Sequence, residues 1–347
     1  MIVHLFNANK AHLVLDFVEH FLISIDKKQR FIFYGNDDTP WEKYRALMKE
    51  YDHLDYFFCF SYRELIKDNI LDKRDVIILH GVDYLWILNF AFSKFKEKYF
   101  VCWGSGAKIH KNIRSKAASL VKILIYNRYK AIITLMDEDK ETIKKDFYVK
   151  NVMTIPYAGK ISRILKSQSY DSSYHCKPVV YLGNNSHHIA SYLDLIEKLK
   201  PLSGKVEVHC MLNYSLKRGK VFDLLVKRGR SIFGDDFMLD TELYSLEDYP
   251  SYMNKCDIYL CDVAEQTGLG AIAVLLYLGK KIYLTGKNLH WAKNIGYKVY
   301  DIAELSYDSF CFPLSLKDRE YNRRLYSDRI NKNQKMWKLF LDKLDIE

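Results

Sequence analysis

Between Cys256 and Thr285 the chain reads CDIYLCDVAEQTGLGAIAVLLYLGKKIYLT. Its polar centre, Glu265-Gln266-Thr267-Gly268 with Gly270 two positions on, has the residue types that hold an anion by main chain. Glycines admit close approach of backbone amides, and a helix that begins there presents free N–H groups, which suits a diphosphate. Ile258 to Cys261 reads as a strand, Leu269 to Leu278 as a helix ended by Gly279, and Lys281 to Leu284 as a second strand. This order predicts a βαβ unit whose loop lies at the carboxyl end of a parallel strand, where open α/β sheets take ligands. A tight turn and nothing more is the other reading of the two glycines. Glu265 is suited to accept from ribose or sugar hydroxyls.

Other residues can join such chemistry. The strand Pro178 to Leu182 runs into Gly183-Asn184-Asn185-Ser186-His187-His188, a second polar loop before a helix. Asn185 or Ser186 can cap that helix, and Gly183, Asn184 and Ser186 can equally face a nucleotide on the same rim as Gln266 to Gly270. In the first half, His80 closes the strand Val76 to Leu79 and is followed by Gly81 and Asp83. An imidazole titrates near neutrality, so His80 can take a proton from an acceptor hydroxyl or orient it; a hydrogen-bonded structural histidine is the alternative. Asn7, Asn9 and His12 follow the first strand and are candidates for the same side. Asp137-Glu138-Asp139 has the D-x-D spacing of a metal-diphosphate site, yet it starts a helix, where acidic residues oppose the positive end of the dipole. No metal and no cofactor is expected.

These residues need two frames to hold them. Strands at Ile2–Phe6, Phe31–Tyr34, Val76–Leu79, Tyr99–Trp103 and Ala131–Leu135 alternate with helical stretches at His12–Ile25, Tyr84–Phe95 and Ile113–Tyr129. That alternation predicts a doubly wound parallel sheet. A polar stretch over 157–177 reads as a linker. A second α/β domain over 178–312 contains the helices Ile189–Leu199 and Lys220–Arg230 and the strand Val206–Met211, and 313–347 is a charged, aromatic helical segment. The expected domains are thus 1–156, 178–312 and a C-terminal helix.

The chain has 347 residues, 49% of them hydrophobic, which is enough for two cores. Seven scattered cysteines without a CxxC pair exclude a disulfide frame and a zinc ribbon, and read as reduced core residues. No run spans a bilayer, and the N-terminus enters a strand without a secretory signal, so a cytoplasmic protein is expected. The formal net charge of +10 favours an anionic partner, but no nucleic-acid motif accompanies it. Lys108, Lys111, Arg114, Lys116, Lys122, Arg128 and Lys130 lie in one acid-free stretch, with apolar Ile113, Ala117, Leu120, Val121, Leu124 and Ile125 at near-helical spacing. Such a helix suits an anionic membrane surface, and equally a packed helix with a solvated face.

Several short motifs recur in one order: His80-Gly81 with Trp86, Trp103-Gly104, Leu182-Gly183-Asn184, Gln266-x-Gly-x-Gly, and Asn288 with Trp291. In this wording the chain resembles the family 56 glycosyltransferases, from Ile2 to about Ile302. These bacterial enzymes move 4-acetamido-4,6-dideoxygalactose from a dTDP donor to a lipid-linked disaccharide. The resemblance implies the GT-B architecture: two Rossmann-like domains facing across a cleft, with a C-terminal helix crossing back to the first. It implies a nucleoside-diphosphate sugar on the second domain, near Gly183, Asn184, Ser186, Glu265, Gln266, Thr267, Gly268 and Gly270. A lipid-linked saccharide acceptor would lie on the first, near Asn9, His12 and Trp103, with His80 catalytic. The family has an acidic residue shortly after its Trp-Gly, where this chain reads Ser105-Gly106-Ala107-Lys108, so the reaction class carries over and the sugar does not. A non-catalytic nucleotide- or carbohydrate-binding protein of the same fold is the rival expectation.

Overall fold

A computed structural model describes residues 1–13, 17–18, 21–36, 39, 41–42, 45, 54–104, 106–107, 113–157, 165, 175–183, 188–212, 218–242, 244 and 248–344. The chain divides into two units, one of Met1–Lys160 with Asn331–Glu347, the other of Ile161–Ile330.

The first unit is built on seven strands: β1 Ile2–Asn7, β2 Gln29–Tyr34, β3 Asp55–Cys59, β4 Val76–His80, β5 Lys98–Cys102, β6 Ala131–Thr134 and β7 Val152–Thr154. All pair in parallel, in the order β3-β2-β1-β4-β5-β6-β7. Its helices are α1 Tyr62–Lys67, α2 Tyr84–Ala91, α3 Ile113–Tyr126 and α4 Asp137–Phe147. The central strand β1 is buried throughout, and its side chains alternate between faces: Ile2 and Phe6 join one core, Val3 and Leu5 the other. That alternation is the two-residue period of a pleated strand with both faces covered. Of the helix expected over 12–25, Phe17 and Val18 are helical, 3-10 turns at Ala8–Leu13 and Leu22–Ser24 lie at its two ends, and residues 14–16 and 19–20 lie outside the described residues.

The second unit has six parallel strands: β8 Val179–Leu182, β9 Glu207–Met211, β10 Phe237–Asp240, β11 Ile258–Cys261, β12 Lys281–Leu284 and β13 Tyr300–Asp301, in the order β10-β9-β8-β11-β12-β13. Its helices are α5 Ile189–Leu199, α6 Lys220–Phe233, α7 Tyr249–Asn254, α8 Leu269–Leu278, α9 Gly286–Ile295 and α10 Tyr307–Cys311. Helix α8 is apolar on nearly every side, because seven of its residues from Ala271 to Leu278 are buried. It is a core helix laid on the sheet, not an amphipathic surface helix.

The last helix, α11 Leu316–Asp342, begins in the second unit, and its final turns belong to the first. There Trp337 is fully buried. Its ring lies 4.9 Å from that of Phe17 and 6.0 Å, nearly parallel, from that of Tyr157, and its Nε1–H donates to Pro156 O at 3.0 Å. Lys27 Nζ donates to Leu341 O at 2.7 Å, a cation on the carbonyl end of the helix. Truncating a wholly buried indole removes both its transfer free energy and its contacts, so Trp337→Ala should lower stability by about 3–5 kcal/mol. Urea unfolding followed by fluorescence measures the loss, and a change below about 1 kcal/mol would show that these turns are not part of the first core.

Candidate functional site

In each sheet the crossovers change direction once, between β1 and β4 in the first and between β8 and β11 in the second. The crevice at such a reversal is where this class of sheet binds ligands. In the second unit the loop of residues 262–268 leaves β11 at that point. Gly268 takes the left-handed conformation, φ 62° and ψ 23°, which glycine adopts without strain, and Gly268 O accepts from Ile272 N at 2.9 Å to open α8. No side chain caps this helix, so its first N–H groups lack the usual acceptor. A Cβ built on Gly270 would meet open space, unlike Gly183, whose Cβ would fall on the ring of Tyr192. Gly183, at φ 62°, thus serves packing, while the space above Gly270 stays clear.

The loop is pinned from behind. Asn288, fully buried on α9, donates from Nδ2 to Thr267 O at 2.7 Å and accepts from Thr267 N at 3.4 Å. Ala264 O accepts from Lys287 N at 3.0 Å, and Ala264 packs on Gly286, where any Cβ would clash with it. Glu265 Oε2 lies 3.8 Å from Lys287 Nζ. Gln266 Oε1 is buried with no hydrogen-bond partner among the described residues. Asn184 and Ser186 lie outside the described residues.

In the first unit His80 is 1% exposed and belongs to a chain of hydrogen bonds. His80 Nε2 is 3.0 Å from His4 Nδ1, His4 Nε2 is 3.1 Å from Gln29 Oε1, and His80 Nδ1 is 3.0 Å from Tyr157 Oη. Trp103 Nε1–H donates to Tyr157 Oη at 3.2 Å. The ends fix the direction. Gln29 Nε2 donates to Leu22 O, which leaves its Oε1 only as an acceptor, so His4 carries its proton on Nε2. His4 Nδ1 then accepts from His80 Nε2–H, and His80 Nδ1 accepts from the Tyr157 hydroxyl. Burial lowers the His80 pKa well below its ordinary value, with the neighbouring His4 adding to the effect. Burial also lowers His4, to about 3, against the bond from Gln29. In this arrangement neither nitrogen of His80 is free for an acceptor hydroxyl. Its contact with the edge of the sheet runs through Tyr157 and Trp103.

Trp103 itself is partly buried, and its indole covers Gly81, which holds φ 56° and has no room for a Cβ. Asn9 is exposed and donates from Nδ2 to Asn36 Oδ1 at 3.3 Å. His12 lies in the turn Ala8–Leu13, but its side chain is outside the described residues. The acidic run is the first turn of α4, where Asp137 Oδ1 accepts from Thr154 Oγ1 at 2.6 Å. Among the described residues no three His, Cys, Asp or Glu side chains converge as a metal-binding group. Lys122, counted on sequence with the basic face, turns inward: it is half-buried, and its Nζ donates to Gly106 O at 3.3 Å. Asn288 escaped assignment as a site residue, since a bond across 21 positions leaves no local signal.

Two parallel α/β sheets with loops at their reversal points define the GT-B fold, and solved structures match it over the whole chain. HepE from Anabaena, solved with UDP and glucose, is 12% identical and superposes with a TM-score of 0.72 over 99% of each chain. A UDP-forming α,α-trehalose-phosphate synthase from Burkholderia vietnamiensis is 10% identical, with a TM-score of 0.64 over 98% of each. TarM is 13% identical with a TM-score of 0.52; 78% of this chain is matched, and it spans 53% of TarM. Identities this low establish the fold. No protein-family model matches the sequence, and no curated protein does.

The two buried imidazoles make a pH prediction. Held neutral, they bind fewer protons in the folded than in the unfolded chain below the ordinary value of 6.5. Their stability is fully present above that pH and is lost as pH falls toward about 3, where His4 itself titrates, by up to about 1.4 kcal/mol per pH unit for each ring. Of the eleven histidines, His4 and His80 should keep their ring resonances unshifted between about pH 8 and pH 5. Titration of the His80 resonance, assigned with His80→Gln, near its ordinary value would show the relay to be open to solvent.

Proposed function

We propose that the chain is a glycosyltransferase that takes a sugar from a nucleoside-diphosphate donor, dTDP- or UDP-linked, and passes it to a lipid-linked saccharide in bacterial surface polysaccharide synthesis. The observation that carries this reading is the loop 262–268. Gly268 opens an uncapped helix at the reversal point of the second sheet, Asn288 holds the loop's shape, and the space over Gly270 is clear. A diphosphate is the ligand that such a helix start suits, because its oxygens accept from oriented N–H groups at the positive end of the helix. The match to HepE, solved with UDP, supports a nucleotide as the ligand class. Glu265, Gln266 and Thr267 then border the donor, and the acceptor is bound on the first unit around Asn9 and Trp103. His80 acts by orienting the Tyr157 and Trp103 side chains. The motif resemblance to family 56 favours an acetamido-dideoxyhexose as the sugar.

A membrane-bound acceptor also accounts for a surface that the nucleotide does not explain. From Tyr84 to Met136 the sequence has ten basic residues, of which Lys98 is buried and Lys122 turns inward, and a single acid, Glu97, which pairs with Lys130. The same stretch exposes Leu85 on α2, Phe92 just after it, and Leu120 and Leu124 on α3, each at least 59% exposed. Apolar side chains among cations match an anionic bilayer at the inner face of the cytoplasmic membrane. No described helix is long and apolar enough to cross one.

Two measurements test the proposal. Gly270→Leu sets its Cβ in open space, so UDP and dTDP affinity should fall at least about tenfold while circular dichroism is unchanged. Equal affinity would remove the loop from the donor site, and nucleotide binding without sugar transfer to any lipid-linked acceptor would favour the non-catalytic reading. Leu120→Glu with Leu124→Glu should release the chain from anionic liposomes. Both positions are exposed, so stability should change by less than about 0.5 kcal/mol per position. Undiminished liposome binding would return α3 to a solvated role.

A further inference from the structure

The side chain of Asp83 stands at a helix N-cap position and does something else. Asp83 precedes α2 as its N-cap, yet its carboxylate accepts no hydrogen bond from the helix. An aspartate at this position ordinarily turns back to the N–H groups of the first turn. Here it reaches across the β1–β4 crevice: Oδ2 accepts from Asn7 Nδ2 at 2.7 Å, and Oδ1 from Lys10 Nζ at 3.0 Å. Asn7 is the last residue of β1 and 6% exposed. The Asp83 main-chain N–H donates to the buried Tyr34 hydroxyl at 2.7 Å, and the Tyr34 ring packs, tilted, 4.4 Å from that of Trp86, so both ends of Asp83 are fixed. The Asp83 side chain nevertheless remains 52% exposed. The carboxylate also takes part in a hydrogen bond with the Tyr34 hydroxyl, and its exposed side keeps acceptor capacity toward solvent.

Stability does not explain this arrangement. The Lys10–Asp83 pair joins a half-buried lysine to a half-exposed carboxylate, and pairs so open to solvent contribute little. A carboxylate left uncapped and pinned at the reversal point of the sheet is arranged to receive a donor from outside the protein.

We propose that this crevice is a saccharide subsite in which Asp83 accepts a hydrogen bond from a sugar hydroxyl. The surroundings select that class of ligand. Asn9 and Asn36 are exposed and offer amide groups, Lys10 adds a donor, and the indole of Trp103, lying on Gly81 two residues before Asp83, offers a face for the C–H side of a pyranose. A phosphate is disfavoured by the carboxylate at the centre, and a metal cation by the lysine on one of its oxygens. The subsite rests on the glycosyltransferase reading for its place in a reaction. There the bound hydroxyl oxygen forms the new bond to the anomeric carbon, and the bond from that carbon to the diphosphate breaks with its electron pair leaving on the nucleoside diphosphate. The hydroxyl proton passes to Asp83.

Asp83→Asn keeps the shape and an acceptor for Asn7 but removes the charge, and thermal unfolding checks that the fold survives. Methyl glycosides of hexoses and N-acetylhexosamines, screened by saturation-transfer NMR, should bind the wild type. The variant should bind them at least about tenfold more weakly, with UDP and dTDP affinity unchanged by calorimetry. Once an acceptor is in hand, kcat should fall at least about a hundredfold with little change in the donor KM. Glycoside binding that is equal in the two proteins, or absent from the wild type, overturns the subsite. Glycoside binding that depends on Asp83 in a chain that binds neither nucleotide keeps the subsite and overturns the glycosyltransferase reading instead.

Discussion

Every feature with chemical character in this chain descends from one topological constraint. Parallel strands must be joined by right-handed crossovers, and a sheet covered on both faces sends some crossovers one way and the rest the other. The reversal leaves a gap between the loops at the carboxyl ends of two adjacent strands, β1 and β4 in one sheet and β8 and β11 in the other. The residues after these strands stand at that gap, where this class of sheet meets its ligands. Asn7 and Asp83 occupy it in the first unit, and Gly183 and the loop ending at Gly268 in the second.

Beneath the first gap lies a polar line inside an apolar core. Burying two imidazoles costs free energy unless every nitrogen is satisfied, and here the requirement is met by a unidirectional run from Trp103 through Tyr157, His80 and His4 to Gln29. The aromatic rings around it supply the packing: His80 lies 4.5 Å from the Phe6 ring and 6.0 Å from that of Trp337. Because the final turns of α11 provide Trp337, the far end of the sequence sets the environment of a histidine near its beginning. A rigid, neutral relay of this kind orients Trp103 without needing to change its protonation state near neutral pH.

Much of this was legible in the sequence, for identifiable reasons. The limits of α8, Leu269 to Leu278, and of α5, Ile189 to Leu199, coincide with the expected ones because small and apolar runs end at clear signals such as Gly279. The interior strands announce themselves as continuous apolar runs because both faces are buried. The strands that escaped notice, β3, β7, β10 and β13, are short or edge strands with half-exposed residues, so their patterns are weak. Residue roles were harder to read than elements. His80 was visible as a titratable group at a strand end, but its burial and both its partners are set by residues 76 and 77 positions away. Asp83 stood out only as a residue following His80-Gly81, and only the fold brings Asn7 to it.

The two gaps differ in chemistry, and the difference follows from their side chains. At the second, the residues nearest the helix start are glycines, so what faces outward is backbone N–H, a surface of donors with partial positive charge and no competing acceptor side chain on Gly268 or Gly270. Such a surface discriminates for anions by charge and against bulk by nothing, which suits the invariant diphosphate of a family of nucleotide sugars. At the first, side chains crowd the edge, and donors and acceptors alternate among Asn9, Lys10, Asn36 and Asp83. A mixed pattern of this sort has no strong preference for charge but is demanding about the placement of hydroxyl groups, since each unmatched polar group loses its water without replacement. On the proposed reading, a chain with one edge suited to charge and the other to hydroxyl pattern holds two ligands of unlike chemistry, and any selectivity among saccharides would reside at the edge where the side chains are.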